Sequence, residues 1–346
     1  MRIATIPQSI RESVGMALGI VPTPLCDVLL GPLVAKAVIT ASSVHLFDAL
    51  ESGQRTSAEV AAHCGTDPVA TERLMRALYV SKYLNWSNDF YRLTRRARRW
   101  LLSSSKDSLH FAILHRSIDF RFFHFENYIR SGDGRNFHQE LDSSEWKCYH
   151  KGQAAQARML ADELVERVHL PSGATRMLDL GGGHGVFSLA LCNAHRNLRS
   201  RVLDLAIPLQ HSASTVFSKS ASESVAFEVA DVRTVGLGVA SVDVVLIANL
   251  THHFDDSTNR ELLKRVAKAL AAGGIVIVLD LVRAPSVDQA EQFDALMDVY
   301  FGAASGSQLW TVDQVREWQL ESGLIPQRPL SMSLLPACKI LIARKP

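Results

Sequence analysis

A glycine-rich stretch between two apolar runs constrains this chain more than any other feature. The segment MLDLGGGHGVFSLAL, residues 177–191, places four of the chain's twenty glycines within five positions, 181–185. Such a turn after a strand lets a ligand approach the backbone closely, because glycine has no Cβ and tolerates positive φ angles. The stretch therefore predicts a strand, a ligand-binding turn and a helix in succession.

The residues around this turn disfavour a phosphate-bearing ligand. Asp179 precedes the first glycine by two residues, and a carboxylate there repels a pyrophosphate but attracts a cation. The dinucleotide fingerprint requires a third glycine where this chain has Ser188, and no GK[ST] sequence follows. The expected ligand therefore carries a positive charge and lacks phosphate.

Two further acids follow the next two apolar strands. Asp204 ends the strand RSRVLDL, a position at which an acid commonly accepts hydrogen bonds from ribose hydroxyls. Asp231 ends the strand SVAFEVAD, where it could receive an adenine amino group. A ligand with an ammonium, a ribose and an adenine, but no phosphate, matches S-adenosylmethionine.

The two halves of the chain have different patterns. From about residue 175, short apolar runs alternate with helical segments, which is typical of a mostly parallel sheet with helices on both faces. Residues 30–105 are mainly helical, and a hairpin-like stretch NWSNDFYRLT follows two short helices, as in a winged helix. Arginines in RRARRW leave open a ligand-sensing transcriptional regulator, but basic residues are sparse on the second helix, which favours protein contacts.

Four motifs in order resemble one family. The sequences LDLGGGHG, VLDLAIP, VADVR and NLTHHFDD resemble those of class I S-adenosylmethionine-dependent methyltransferases, and more narrowly of the small-molecule O-methyltransferases of specialised metabolism. This resemblance implies a homodimer with a winged-helix dimerisation domain over 1–105 and a helical linker and substrate-pocket segment over 106–170. It also implies a Rossmann-like α/β methyltransferase domain over 171–346, with a mostly parallel seven-stranded sheet.

The resemblance assigns roles to individual residues. The glycine loop lies beneath the methionine moiety, Asp204 binds the ribose, and Asp231 lies near the adenine. His252 matches the family's catalytic base, and His253 stands where an aspartate is common. The implied donor-binding residues are Asp179, Gly181, Gly183, Gly185, Asp204 and Asp231.

The chain departs from the family pattern beside the expected base. Acids that orient the histidine in plant members correspond here to Arg283 and Leu309. The sequence therefore leaves the orientation of His252 unexplained. It also leaves open proximity-driven transfer or a C- or N-methyltransferase of the same fold.

Composition adds limits on partners and location. The net charge of +2 gives no electrostatic case for nucleic acid or membranes, and the five scattered cysteines fit a reducing compartment. Prolines interrupt the most apolar N-terminal stretch, so we expect no targeting segment and a cytoplasmic protein. No metal is expected, because Asp255 and Asp256 fit better as the start of the following helix than as ligands beside the two histidines. The predicted reaction is methyl transfer to a hydroxyl of a small aromatic acceptor.

Overall fold

The computed structural model describes residues 4–122, 125–212 and 223–346. The backbone separates into two compact units, one ending at Phe120 and one beginning at Arg121. The helix His110–Phe122 contains this boundary. The predicted boundaries at residues 105 and 170 divide the chain by the function of its parts and not by compactness, and they stay predictions.

The N-terminal unit consists of helices and one hairpin. Helix α4 (Ser57–Cys64) begins with a capping box between Thr56 and Glu59 and ends at Gly65, whose φ is +65°. The order of α4, helix α5 (Pro68–Val80) and the hairpin agrees with the predicted winged-helix outline. The elements are α1 (Ile10–Ala17), α2 (Thr23–Ser43), α3 (Leu46–Ala49), α4 (Ser57–Cys64), α5 (Pro68–Val80), β1 (Leu84–Ser87), β2 (Phe90–Leu93), α6 (Arg95–Trp100) and α7 (His110–Phe122).

The hairpin forms because its turn residues accept an unusual backbone. Asn88 and Asp89 join β1 to β2 with φ angles of +50° and +64°, which match the tight turn that suits twisted antiparallel strands. Tyr91 and Leu93 point from β2 into the core of this unit, where they pack with residues such as Phe47. The wing is therefore an integral part of the unit.

Helices α1 and α2 leave most of their apolar side chains exposed. None of the α1 residues is buried, and α2 is buried only near its C-terminal end. Among the described residues, α2 is the one helix whose length and composition would allow it to cross a membrane, and Pro32 lies within it. Its exposed apolar residues include Leu25, Val28, Leu29, Leu30 and Leu33.

The C-terminal unit alternates strands and helices. Its helices are α8 (Phe125–Ser131), α9 (Ser143–Arg167), α10 (Val186–Ala194), α11 (Ala206–Ser212), α12 (Asp256–Ala269), α13 (Gln292–Ser305) and α14 (Val312–Glu321). Its strands are β3 (Arg176–Leu180), β4 (Arg199–Asp204), β5 (Val225–Val229), β6 (Val242–Ala248), β7 (Leu270–Leu281), β8 (Ile325–Pro326), β9 (Leu330–Ser331) and β10 (Cys338–Arg344).

These strands form one mostly parallel sheet. Within the described ranges its order is β5-β4-β3-β6-β7-β10-β8, and the two-residue strand β9 pairs with β10 beside this path. Strands β3 to β7 are parallel, and β10 runs antiparallel to β7. The predicted Rossmann-like, mostly parallel sheet is confirmed, and among the described residues the short strand β9 adds an eighth strand to the seven expected. The chain order reverses direction beside β3, and ligands of such sheets bind at the carboxyl edge there.

Both faces of the sheet are covered. Alternate residues of each strand point to opposite faces, so Met177 packs with one apolar layer and Leu178 with the other. Helices α9 and α10 supply Leu164 and Leu191 to the first layer. Helix α12 supplies Leu263 to the second. This two-sided burial holds the carboxyl ends of β3, β4 and β6 in fixed positions.

Candidate active site

The glycine loop leaves β3 in conformations that favour glycine. Gly181, Gly183 and Gly185 have φ angles of +68°, +43° and +67°, and Gly185 is the N-cap of α10. A Cβ on Gly181 would lie 2.7 Å from Cδ1 of Leu250, in the turn that follows β6. The loop is therefore packed directly against the turn that carries His252.

Asp179 is buried beneath this loop with half of its carboxylate unsatisfied. Ser188 Oγ donates to Oδ2 at 2.6 Å, whereas Oδ1 is buried without a hydrogen-bond partner in the described residues. Burial raises the pKa of Asp179 to about 7, and the nearby Asp204 carboxylate adds to that rise. A Cβ on Gly182 would lie 2.4 Å from Cγ of Asp179, so glycine is required there.

Asp204 joins the end of β4 to the same loop. Its Oδ2 accepts a hydrogen bond from Gly183 N at 2.8 Å, and its Oδ1 accepts one from Leu205 N at 2.7 Å. Burial raises its pKa to about 6 although both backbone donors favour the ionised form. The structure thus brings Asp204 together with Asp179 and the glycines.

Asp231 lies two residues beyond β5 and has a close partner of its own. Arg233 Nη2 donates to Oδ2 at 2.6 Å, and Arg233 Nε contacts both carboxylate oxygens. These bonds lower the pKa of Asp231. Ala230 N donates to Asp204 O at 2.8 Å, which places Asp231 on the predicted edge. Its role at the adenine stays a prediction.

His252 is paired with an acid that the sequence analysis did not identify. Its Nδ1 lies 2.6 Å from Oδ1 of Asp280, and both side chains are buried. Asp280 also accepts from Thr251 N at 3.0 Å, Thr251 Oγ1 at 2.7 Å and Leu281 N at 2.8 Å. These donors satisfy the carboxylate and fix the direction in which it meets the imidazole.

Arg283 and Leu309, the positions where acids were sought, have a different role. Arg283 Nε donates to Leu309 O at 3.0 Å, and Leu309 N donates to Asp298 Oδ1 at 2.7 Å. These bonds tie the loop at Leu309 to the segment after β7 and to helix α13. The support missing there comes from Asp280, three residues before Arg283. A signal was available in the sequence, since Asp280 sits near the end of an apolar strand, as Asp204 does.

Aromatic rings surround the histidine pair. The ring of Phe301 lies 4.1 Å from that of His252, centroid to centroid, and the ring of His253 lies 4.3 Å away. His138 approaches His253 at 5.2 Å, and Tyr149 OH lies 3.1 Å from His138 Nε2. This wall is suited to a flat aromatic molecule beside His252.

A metal site is a different interpretation of the same histidines. Asp255 is the N-cap of α12 and accepts from Thr258 N at 2.7 Å, as expected for a helix start. Across the ranges that the structure describes, no group of three or more histidine, cysteine or acidic side chains could hold a metal ion. The described contacts of His252 are those of an acid-supported imidazole.

Known families match both units of the chain. A family model of the O-methyltransferase domain matches residues 125–317, more than half of the chain, and a model of the O-methyltransferase dimerisation domain matches residues 26–103. The two matches follow the order predicted from the sequence.

Individual relatives have low sequence identity to this chain but match it over most of its length. The chain is 24% identical to a 3-hydroxy-5-methyl-1-naphthoate 3-O-methyltransferase of Streptomyces sahachiroi, over 87% of this chain and 89% of that protein. It is 24% identical to the N,N-dimethyltransferase OxyT of Streptomyces rimosus, over 90% and 93%.

A solved structure extends the likeness to the whole fold. Human N-acetylserotonin methyltransferase, solved in complex with S-adenosylmethionine, superposes with a TM-score of 0.84 at 18% identity, covering 98% of this chain and 99% of that one. Together with the matched domains, this fold shows that the chain belongs to the family of S-adenosylmethionine-dependent O-methyltransferases that carry an N-terminal dimerisation domain.

Proposed function

We propose that the chain methylates a hydroxyl group of a small aromatic specialised metabolite, with His252 as general base. The observation that supports this most directly is the Asp280–His252 pair, on a turn whose Leu250 packs against the glycine loop. A base and a donor site are thereby adjacent. We further propose that the enzyme is a cytoplasmic homodimer.

The residues at the carboxyl edge fit S-adenosylmethionine. The buried Oδ1 of Asp179 lacks a partner among the described residues and suits a cationic ligand. Gly181, Gly183 and Gly185 adopt positive φ angles in the same loop, and they carry no Cβ that would keep a ligand away from the backbone. We propose that these residues, with Asp204 on the ribose and Asp231 near the adenine, hold the donor. When bound, S-adenosylmethionine supplies an electrophilic methyl group.

His252 has the arrangement of a general base. With Nδ1–H donating to Asp280, the lone pair of the neutral imidazole lies on Nε2, which makes no hydrogen bond within the described residues. A phenol has a pKa of about 10 and is a weak nucleophile until it loses its proton. His252 Nε2 receives that proton, and the Asp280 carboxylate stabilises the resulting imidazolium.

The acceptor is proposed to be aromatic on two grounds. Phe301, Tyr149 and Trp146 give the neighbourhood of the histidines flat apolar surfaces. The Streptomyces sahachiroi relative is named for a hydroxynaphthoate, a fused aromatic ring with a hydroxyl. Helices α9 and α13 supply these side chains, so the proposed substrate-pocket segment 106–170 contributes part of the wall.

Transfer to nitrogen or carbon is the alternative within the fold. The OxyT relative, an N,N-dimethyltransferase, favours it. An amine needs no base of this kind to attack once it is neutral. Hydroxyl transfer is favoured by the pair of Asp280 and His252. A buried carboxylate is costly unless it is paired and hydrogen-bonded, and the pairing of Asp280 with His252 is the arrangement that a base for a hydroxyl requires.

A transcriptional regulator is the alternative from another class. In α6, however, Arg96 donates to the backbone oxygens of Ser81 and Lys82, and Arg98 donates to Glu51 O. These guanidinium groups join α6 to other parts of the N-terminal unit. They therefore have a structural role that does not require a nucleic acid.

The test is transfer of labelled methyl from S-adenosylmethionine to matched phenol and aniline panels, with His252→Ala beside the wild type. We expect phenols to be methylated and the variant to lose that activity. Transfer to anilines alone, or activity unaffected by the variant, would contradict the proposal. Salt-dependent DNA binding without transfer would support the regulator.

A further inference from the structure

The ring of His253 lies beside the proposed base, and its donor is available. Within the described part of the chain its imidazole makes no hydrogen bond. Its ring centroid lies 4.3 Å from that of His252 and 5.2 Å from that of His138. Burial, with the neighbouring imidazoles of His252 and His138, holds the pKa of His253 well below its usual value. A neutral imidazole carries one N–H donor and one lone pair.

The two adjacent histidines therefore carry different hydrogen-bonding groups. His252 presents a lone pair on Nε2, because Asp280 engages its Nδ1. His253 presents an N–H that has no acceptor among the described residues. Phe301 contacts both rings, at 4.1 Å and 6.3 Å between centroids, so both border one aromatic wall.

This combination suits one class of phenol in particular. A hydroxyl next to a carbonyl on an aromatic ring donates a hydrogen bond to that carbonyl oxygen. This internal hydrogen bond makes the hydroxyl proton harder to remove. An enzyme that accepts the hydroxyl proton and donates to the carbonyl replaces one internal bond with two of its own. An aspartate at 253 would offer only acceptor oxygens when ionised.

Resting on the proposed function, we propose that His253 selects aromatic acceptors that carry a carbonyl or carboxylate oxygen adjacent to the methylated hydroxyl. Its N–H binds the adjacent oxygen while His252 Nε2 binds the hydroxyl. His253 is thereby a specificity-determining residue, and His252 remains the base.

Two isomeric probes test this selection. Ortho- and para-hydroxyacetophenone have the same atoms, and in both the acetyl group is conjugated with the hydroxyl, but only the ortho isomer places its oxygens side by side. We measure kcat/KM for both isomers with the full-length enzyme, and the affinity of both by calorimetry in the presence of S-adenosylhomocysteine. The wild type is expected to favour the ortho isomer by about tenfold or more, the effect of one buried hydrogen bond.

Three variants separate the donor from the shape of the wall. His253→Phe keeps a ring without a donor and is expected to lower the ortho-to-para ratio about tenfold, whereas His253→Asn keeps an N–H and most of the ratio. Phe301→Leu alters the same wall without touching a donor, so it should affect both isomers equally. Thermal melting checks that each variant is folded.

The outcomes distinguish this inference from the proposed function. An equal preference for both isomers in the wild type, or an unchanged ratio in His253→Phe, overturns the role of His253. If the wild type methylates neither isomer, the hydroxyl-transfer proposal fails for these acceptors, and the calorimetric ratio alone decides the role of His253.

Discussion

Asp280 Oδ1 lies 2.6 Å from Nδ1 of His252. The parallel pairing of two adjacent strands, β6 and β7, brings these two residues together. Ala248, the last residue of β6, lies opposite Leu279 of β7. The next residue of β7 is Asp280, which therefore faces the turn that leaves β6. A buried acid on one strand thus orients His252, the proposed base, in the turn after the neighbouring strand.

Replacing Asp280 by asparagine should impair turnover more than donor binding. An amide cannot hold the Nδ1–H tautomer of His252 as a carboxylate does, nor stabilise its imidazolium. We expect kcat to fall by about 10²–10⁴-fold, the range typical for loss of general-base assistance, with the donor Kd nearly unchanged. Single-turnover kinetics and calorimetry give the two numbers.

Thr251→Val is the matched control for that experiment. It removes the Thr251 Oγ1 bond to Asp280 but leaves the carboxylate and three other contacts in place. We expect only a several-fold loss of turnover, because the carboxylate keeps its other donors and its contact with His252. Equal losses in both variants would indicate that Asp280 acts through the local fold and not through His252.

His252→Ala should remove the proposed base. Turnover of phenols should fall by about 10²–10⁴-fold while the donor still binds, and His253→Ala should cost far less on acceptors without an adjacent oxygen. A double variant with Asp280→Asn should be no worse than His252→Ala, because both changes disable one unit. Unchanged single-turnover rates across pH in His252→Ala would exclude the base role.

The sequence predicts the donor side of this site better than the catalytic side. The glycines and Asp204 adjoin strand ends that are readable as apolar runs, and the structure brings them together at the Gly183–Asp204 bond. Asp280 was not predicted, because the family pattern places the supporting acids at the positions that Arg283 and Leu309 occupy in this chain. Parallel pairing of β6 with β7 is a long-range relationship, and no local pattern around Asp280 reveals its partner.

Side-chain partners within a loop are equally hard to predict. Asp231 follows its strand as expected, but its pairing with Arg233 depends on the turn conformation between them. Helix α12 ends at Ala269, and the next residues, LAAGG, begin β7 although leucine and alanine favour helix. There tertiary pairing with β6 overrides helix propensity, which is a weak local preference.

Asp204→Ala should weaken donor binding. Loss of hydrogen bonds between a charged group and the donor costs about 1.5–3 kcal/mol, or roughly a tenfold to 150-fold rise in Kd. Glu228→Ala is the control, since Glu228 is an acid of the neighbouring strand that pairs with Arg201 at the surface. Calorimetry with equal affinities for the wild type and Asp204→Ala would contradict the ribose role.

Donor affinity should rise with pH between about 5.5 and 7.5. Burial raises the pKa of Asp179 to about 7 and that of Asp204 to about 6, so both are partly protonated in this range without donor. A cationic donor favours the ionised carboxylates, so binding releases protons and tightens as pH increases towards and past these values. The range stops below the pKa of the donor's α-amino group, about 7.7–8.0.

Asp179→Asn is the variant that identifies the titrating group. It cannot ionise, so most of the pH slope should disappear while binding weakens at pH 7.5. Affinities are measured by calorimetry in two buffers of different ionisation enthalpy, which also reports the protons released. A Kd that does not vary with pH in the wild type would show that neither acid changes ionisation when the donor binds.

The exposed face of α2 should form the dimer interface. Leu29 and Leu33 are 56% and 58% exposed on a helix that lies largely within the matched dimerisation domain. Burying the remaining exposed surface of such a side chain stabilises association by about 1–1.5 kcal/mol per copy. Light scattering should give twice the 38.1 kDa chain mass. Leu33→Lys should dissociate the dimer, whereas Val287→Lys, at a 94% exposed position of the other unit, should not. A wild-type monomer at micromolar concentration, or recovery of the chain with membranes, would contradict this role of α2.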